Sequence, residues 1–235
     1  MKKTAETKST SAQSCTKALA KPRGRPLSFD RDTALDKAMH VFWEHGYEAA
    51  SISDLTAAMG ITPPSLYTAF GDKASLFLEA IERYGKGPGS YVRRALDEAP
   101  TAGEAIHRIL IEAADELTQP CHPAGCMMVM ATTNCSVAAE HIQEALVRRR
   151  ALGIGLMQAR IQRGIDDGEM PAGTDAGALA NFYATVYQGM SMQAKDGATR
   201  ESLLGSVEMA MRSWPVARAP ARVPPPAKKR AAAAS

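Results

Sequence analysis

Apolar residues recur at intervals of three and four along most of the chain, which is the spacing of helices that bury one side. The first stripe, in a helix predicted at about 31–45, consists of Ala34, Leu35, Ala38, Met39, Phe42 and Trp43. Later stripes predict helices at about 72–84, 90–97, 102–118, 124–133, 136–167, 175–194 and 200–213. The pattern therefore predicts an all-α fold.

Between the first and second of these stripes, start and stop signals mark two short helices. Ser51 and Asp54 have the three-residue spacing of a capping box. Gly60 suits the left-handed end of that helix. Thr62 can cap the next helix, and the two prolines after it fall in the first turn, where a missing N–H is harmless. The second short helix is predicted to end at Gly71.

The second short helix has an apolar side and a small polar side. Leu66 and Phe70 face inward, which leaves Ser65, Tyr67 and Thr68 outside. Two short helices at this spacing form a helix-turn-helix, whose second helix can lie in the major groove of DNA.

The segment from about Asp32 to Tyr84 resembles the DNA-binding domain of TetR/AcrR-type (tetracycline-repressor-like) transcriptional regulators. The resemblance rests on Ala34, Ala38, Phe42, Gly46, Tyr47, Ser51, Ile52, Ala58, Gly60, Ser65, Tyr67, Phe70, Lys73, Leu76 and Phe77. It implies a homodimer that binds a palindromic operator in double-stranded DNA as a repressor. It also implies a C-terminal helical domain that dimerises and binds a small-molecule effector, which releases the DNA.

Contacts with DNA are expected from Ser51, Thr62, Pro63, Pro64, Ser65, Tyr67, Thr68 and Lys73. Lys73 lies in the first turn of the fourth helix, where outward backbone amides also suit a phosphate. The alternative for Lys73 is a free surface lysine. For Tyr67 the alternative is simple packing.

The basic residues are concentrated at the two ends of the chain. The net charge is +6 in residues 1–26, −5 in 27–84, −3 in 85–214 and +5 in 215–235. The two terminal segments are predicted to be a disordered basic arm and a disordered basic tail. In the arm, Arg23 and Arg25 flank Gly24 between prolines, a pattern that suits a narrow A·T-rich minor groove. The alternative is a linker that contacts phosphates loosely.

Three glycines and a proline at 85–89 make a continuous helix unfavourable, which separates a helix-turn-helix domain at 27–84 from an effector-binding and dimerisation domain at 85–214. In the family that this chain resembles, the last two long helices form the dimer interface. The corresponding interface residues in this chain are expected to be Leu179, Val186, Leu203 and Val207. The effector pocket is predicted from Cys126, Met127, Met130, Phe182 and Tyr183. The alternative for the methionine-rich part is a core helix.

The cysteines at 15, 121, 126 and 135 do not have the spacing of a disulfide framework. An alternative function is a thiol- or metal-sensing regulator of the same fold that uses Cys121, Cys126 and Cys135. The spacing of these cysteines is not that of a closed zinc site. A further alternative is an architectural DNA binder that uses the basic termini without an effector. The sequence has no catalytic motif and indicates no enzyme, no cofactor and no resident metal. It also has no secretory leader and no membrane span, so a cytoplasmic protein is expected.

Overall fold

The chain is all-helical in the part that a computed structural model describes, namely residues 29–131, 136 and 139–216. These residues form α1 (Arg31–Ala49), α2 (Ile52–Met59), α3 (Pro63–Phe70), α4 (Lys73–Lys86), α5 (Ser90–Glu98), α6 (Ala102–Glu116), α7 (Met127–Met130), α8 (Glu140–Asp166), α9 (Ala176–Lys195) and α10 (Arg200–Met211). The predicted all-α class is confirmed. Arg23, Arg25, Cys15, Cys135 and residues 217–235 lie outside the described residues.

Two of the predicted helices differ from those observed. The predicted helix at 124–133 is limited to Met127–Met130, because Gly125 has a φ of 83° and breaks the helical backbone just before it. The last long helix before the C-terminal pair starts at Glu140 rather than 136. Near the end of α1, Gly46 has φ 76° and ψ 176°, so the helical backbone is interrupted directly after residue 45, where the predicted helix ends.

Helix α1 is the centre of the N-terminal part and packs against α2 and α4. Its Phe42 meets Phe77 of α4 edge to face, with ring centroids 5.0 Å apart. Leu55 of α2 and Leu66 of α3 are also fully buried. Each such side chain contributes about 1.5–3 kcal/mol on burial, and together they fix α3 relative to α1 and α4.

The C-terminal part contains two principal helix pairs. Helix α5 packs on α6, and α8 packs on α9, while α10 lies against both α6 and α9. The chain enters this part through the glycine-rich segment: α4 ends at Lys86, and the N–H of Gly87 bonds to the carbonyls of Arg83 and Tyr84. The predicted helix break is confirmed.

The short α7 joins the two parts, since it contacts α1, α4 and α9. A single connected set of buried apolar residues extends from α1 to α10. The two parts therefore share packed contacts despite the break after α4.

Candidate nucleic-acid interface and effector cavity

The start of α2 is held by a reciprocal capping box. Ser51 Oγ accepts from the N–H of Asp54 at 3.1 Å, and the Asp54 carboxylate accepts from the Ser51 N–H at 3.0 Å. The bonds from the Ser51 side chain and backbone lower the pKa of Asp54. Gly60 ends the helix with φ 71° and ψ 33°. These are the start and stop signals that the sequence predicted, and they fix where α3 begins.

Helix α3 presents a short polar surface. Thr62 is the N-cap residue, as the sequence predicted, but its side chain makes no capping bond. The hydroxyls of Thr62 and Ser65 instead bond to each other at 3.0 Å. Because the two prolines that follow Thr62 carry no N–H, fewer donors in this first turn need a cap.

Two other α3 residues expected at the DNA lie on the outer side. The Tyr67 side chain is half exposed, and its hydroxyl has no hydrogen-bond partner among the described residues. Thr68 donates to the carbonyl of Pro64 at 2.8 Å and can still accept a bond. Tyr67 is therefore the member of this surface with the most freedom to reach a phosphate.

Lys73 is next to this surface but does not extend freely into solvent. Its Nζ donates to the Glu48 carbonyl at 3.3 Å and lies 4.6 Å from the ring centroid of Tyr47. Partial burial lowers the Lys73 pKa, and the charge of Glu48 opposes that shift. Lys73 must turn away from the Tyr47 ring, or keep that contact and use its other N–H donors, to bind a phosphate.

Arg31, which the sequence patterns did not single out, ties α3 to the rest of the domain. It donates to the Ala69 carbonyl and to both Glu79 oxygens, and its guanidinium stacks 4.3 Å from the centroid of the Phe70 ring. Nη2 contacts both Glu79 oxygens, and Nε and Nη2 both donate to the Ala69 carbonyl, so Arg31 holds the end of α3 against α4. Its partners are 38 and 48 residues away, which is why local patterns did not reveal it.

A cavity of about 300 Å³ lies between the end of α4, α5, α7, α8 and α9. Among the predicted pocket residues, only Cys126 lines it. Met127 is fully buried in the core, and Met130 is half-buried beside Gly125. Tyr183 is buried and bonds to the Ala210 carbonyl, while Phe182 lines a different groove. The structure thus separates residues that the sequence grouped together, because α9 turns Phe182 and Tyr183 away from the cavity.

Tyrosine hydroxyls gather around Cys126 at this cavity. Tyr84 donates to the Cys126 sulfur at 3.4 Å, and the hydroxyls of Tyr91 and Tyr187 are 2.9 Å apart. Burial raises the pKa of all three tyrosines, so they are neutral hydrogen-bond donors near pH 7. Tyr84 and Tyr187 are cavity residues that the sequence analysis missed, although Tyr187 is one helical turn beyond Tyr183.

The cavity wall is in direct contact with α1. Trp43 Nε1 donates to the Gly125 carbonyl at 2.9 Å, and the Trp43 ring meets Tyr84 edge to face at 4.9 Å. The His122 ring stacks on the Trp43 ring, with ring centroids 4.3 Å apart. Trp43 therefore contacts one residue that lines the cavity, Tyr84, and the segment that directly precedes Cys126.

An open groove of about 600 Å³ runs between α9 and α10. Phe182 and Val186 line it, and Gly189 leaves open space where a Cβ would lie. Leu203 and Val207 are buried inside the protomer, and Leu179 is half-buried. Of the four residues predicted for the dimer interface, Val186 alone lines the groove.

Two further expectations concern metals and membranes. Cys121 is exposed and Cys126 is buried, and no group of three or more metal-binding side chains occurs within residues 29–131, 136 and 139–216. No helix in that same part of the chain is long and apolar enough to cross a membrane.

Comparison with known proteins matches both halves of this arrangement. Residues 34–80 match the model for bacterial regulatory proteins of the tetR family, and residues 102–203 match a tetracycline-repressor-like C-terminal domain. The chain is 36% identical over 205 residues to the HTH-type transcriptional repressor ComR of Escherichia coli, covering 87% of this chain and 98% of that protein. It is 29% identical over 195 residues to the repressor BdcR of the same organism, covering 83% and 94%.

A solved structure of the tetR-family regulator CifR, in a cysteine-substituted form complexed with 26-base-pair operator DNA, is also similar. It is 49% identical, has a TM-score of 0.79, and covers 81% of this chain and all of that one.

Proposed function

Since this chain belongs to the tetR family of bacterial regulatory proteins, we propose that it represses transcription by binding operator DNA as a homodimer. A small molecule in the cavity beside Cys126 releases the DNA. The observation that carries this proposal is the α2–α3 pair, in which α2 begins with a capping box, Arg31 contacts the end of α3, and α3 presents a polar outer surface. The function has no catalytic step, and it operates in the bacterial cytoplasm, where the chromosome lies.

In the proposed complex, α3 lies in the major groove and its N-terminal residues reach the bases. Ser51, Thr62, Pro63, Pro64, Ser65, Tyr67, Thr68 and Lys73 form the contact surface. Lys73 and Tyr67 bind phosphates, which position the helix, whereas Ser65 and Thr68 contribute to base recognition. Arg23 and Arg25 of the basic arm enter the minor groove beside each half-site.

The dimer forms through the groove between α9 and α10. Exposed Phe182 and Met209, at 44% and 62% relative exposure, flank a surface with small residues, which lets helices approach closely. A second copy covers these side chains and makes a four-helix arrangement. Two α3 helices at a fixed separation then match two half-sites of a palindrome.

Effector binding releases the DNA if it is thermodynamically linked to the separation of the two α3 helices. A ligand that binds better to a dimer with wrongly spaced α3 helices must weaken operator binding, typically by about 1–3 kcal/mol of coupling. The contact of Trp43 with Gly125 and Tyr84 supports a route from the cavity wall to α1.

The DNA-binding proposal is tested by fluorescence anisotropy on the intergenic DNA next to the gene. Lys73→Ala is expected to weaken binding to all sites alike and to lower the slope of log K against log salt by about one. Lys86→Ala is the matched control, because Lys86 is exposed at the opposite end of the same helix, about 20 Å away along its axis. Equal losses of DNA affinity in the two variants would mean that both lysines act only through general attraction to phosphate. That result would refute the proposed position of α3 on the DNA.

A further inference from the structure

The charged residues that line the cavity beside Cys126 all have the same sign. They are Arg93, Arg149 and Arg150, and within the described part of the chain no aspartate or glutamate lines the cavity. Most of the remaining wall is apolar, with Val92 and Ile154 among the side chains. A cavity of this composition disfavours a cation and favours a molecule that combines an apolar body with a negative charge.

Arg93 and Arg149 each have a carboxylate partner and still retain N–H donors for such a ligand. Arg93 bonds to Asp97 at 2.6 Å, and Arg149 bonds to Glu82 at 2.8 Å. Neither carboxylate lines the cavity. Because a guanidinium has five N–H donors, one such bond leaves Arg149 with donors for a second oxyanion.

Arg150 is held at the same wall by its own backbone contact. Its Nη1 donates to the Met128 carbonyl at 2.9 Å, and Met128 itself lines the cavity. This bond fixes the arginine stem along α7, so that its charge stays beside the apolar interior. Arg149 and Arg150 therefore both line the cavity from consecutive positions of α8.

We infer that the effector is a small organic anion, a monocarboxylate whose apolar body fills the cavity and whose carboxylate binds Arg149 and Arg150. This inference rests on the proposed effector function and specifies its ligand. A dry cavity of about 150 Å³ holds benzene, so a cavity of about 300 Å³ holds about 12 non-hydrogen atoms. An unbranched acid of eight to ten carbons meets this limit.

The chemical class is tested by titrating the full chain with octanoate, octan-1-ol and octylamine in a calorimeter. Each probe has eight carbon atoms in an unbranched chain, and the three differ in the charge of the head group. Octanoate is expected to bind about tenfold more tightly than octanol, as a charge-assisted hydrogen bond requires, and octylamine more weakly than either. Octanol affinity within threefold of octanoate affinity, or no binding of any probe, would overturn the inference.

Substitutions on α8 locate the anion. Arg149→Gln or Arg150→Gln is expected to weaken octanoate binding about tenfold while octanol binding stays the same. Arg148→Gln is the matched control, because Arg148 pairs with Glu144, is 66% exposed and does not line the cavity. If Arg148→Gln lowers octanoate affinity as much as the other two substitutions do, octanoate responds to the overall positive charge of α8 rather than to a defined site, and the inference fails.

Operator affinity measured on the same samples separates this inference from the proposed function. Selective octanoate binding that leaves operator affinity unchanged would support the anion site and contradict the effector role. Release of the operator by octanol but not by octanoate would support the effector role and overturn the anion class.

Discussion

The contact between Trp43 and Gly125 provides the sharpest test of how the two parts of the molecule are joined. Trp43→Phe removes the Nε1 donor while keeping an aromatic ring. The Gly125 carbonyl then loses its partner in a place where Trp43 is only 2% exposed, which costs about 1–3 kcal/mol. The smaller ring also leaves a void against Tyr84 and His122. Together these effects predict a loss of about 2–4 kcal/mol in the free energy of unfolding.

This prediction is measured by urea denaturation followed by circular dichroism, at equal protomer concentrations because a dimer's stability depends on concentration. Phe42→Leu is the comparison variant, since Phe42 is fully buried and its ring contacts are with Tyr47 and Phe77. Both variants should lose stability. Only Trp43→Phe should also reduce the ratio of operator affinities without and with octanoate. A loss below about 0.5 kcal/mol with an unchanged ratio would refute the reasoning.

Three further predictions concern the helix cap, the cavity loop and the proposed dimer. Ser51→Ala should lower stability by about 1 kcal/mol, unlike Ser53→Ala, whose side chain makes no hydrogen bond among the described residues. The pKa of Asp54 in the folded state lies below its ordinary 3.8. The bonds from Ser51 to the ionised Asp54 carboxylate therefore stabilise the fold above that pH, and this stabilisation is lost as the pH falls through the folded-state pKa. The difference in urea midpoint between the unsubstituted chain and Ser51→Ala should therefore become smaller from about pH 5 to about pH 3. A difference that stays constant over this range would contradict the prediction. Gly125→Ala should destabilise by about 2 kcal/mol in thermal unfolding, because φ is 83° and the new Cβ would lie 2.9 Å from the Ser191 carbonyl. Gly173→Ala, where nothing lies within 4 Å, should stay within about 0.5 kcal/mol, and equal losses would refute the strain argument. Gly189→Leu should produce monomers in sedimentation while helicity is retained, whereas Gly173→Leu should not; a dimeric Gly189→Leu would place the interface elsewhere.

Local chemistry made much of this protein predictable from the sequence. The bounds of α2 follow from Ser51, Asp54 and Gly60, whose capping bonds and backbone angles join residues no more than four positions apart. The all-α class follows from the apolar spacing for the same reason. Even so, Thr62 occupies the predicted N-cap position without a side-chain capping bond, because Ser65 offers its hydroxyl another partner.

The grouping of distant residues depended on the tertiary structure. Phe182 and Tyr183 are adjacent in sequence, yet α9 places the first in an open groove and the second in the core. The cavity joins Tyr84, Cys126 and Arg150, which are more than 20 residues apart from one another. Helical periodicity shows which residues share a side of one helix, but not which helix that side meets. Local sequence therefore determined the helices and the DNA-reading motif, whereas long-range packing decided the cavity, its arginines and the contact of Trp43 with its wall.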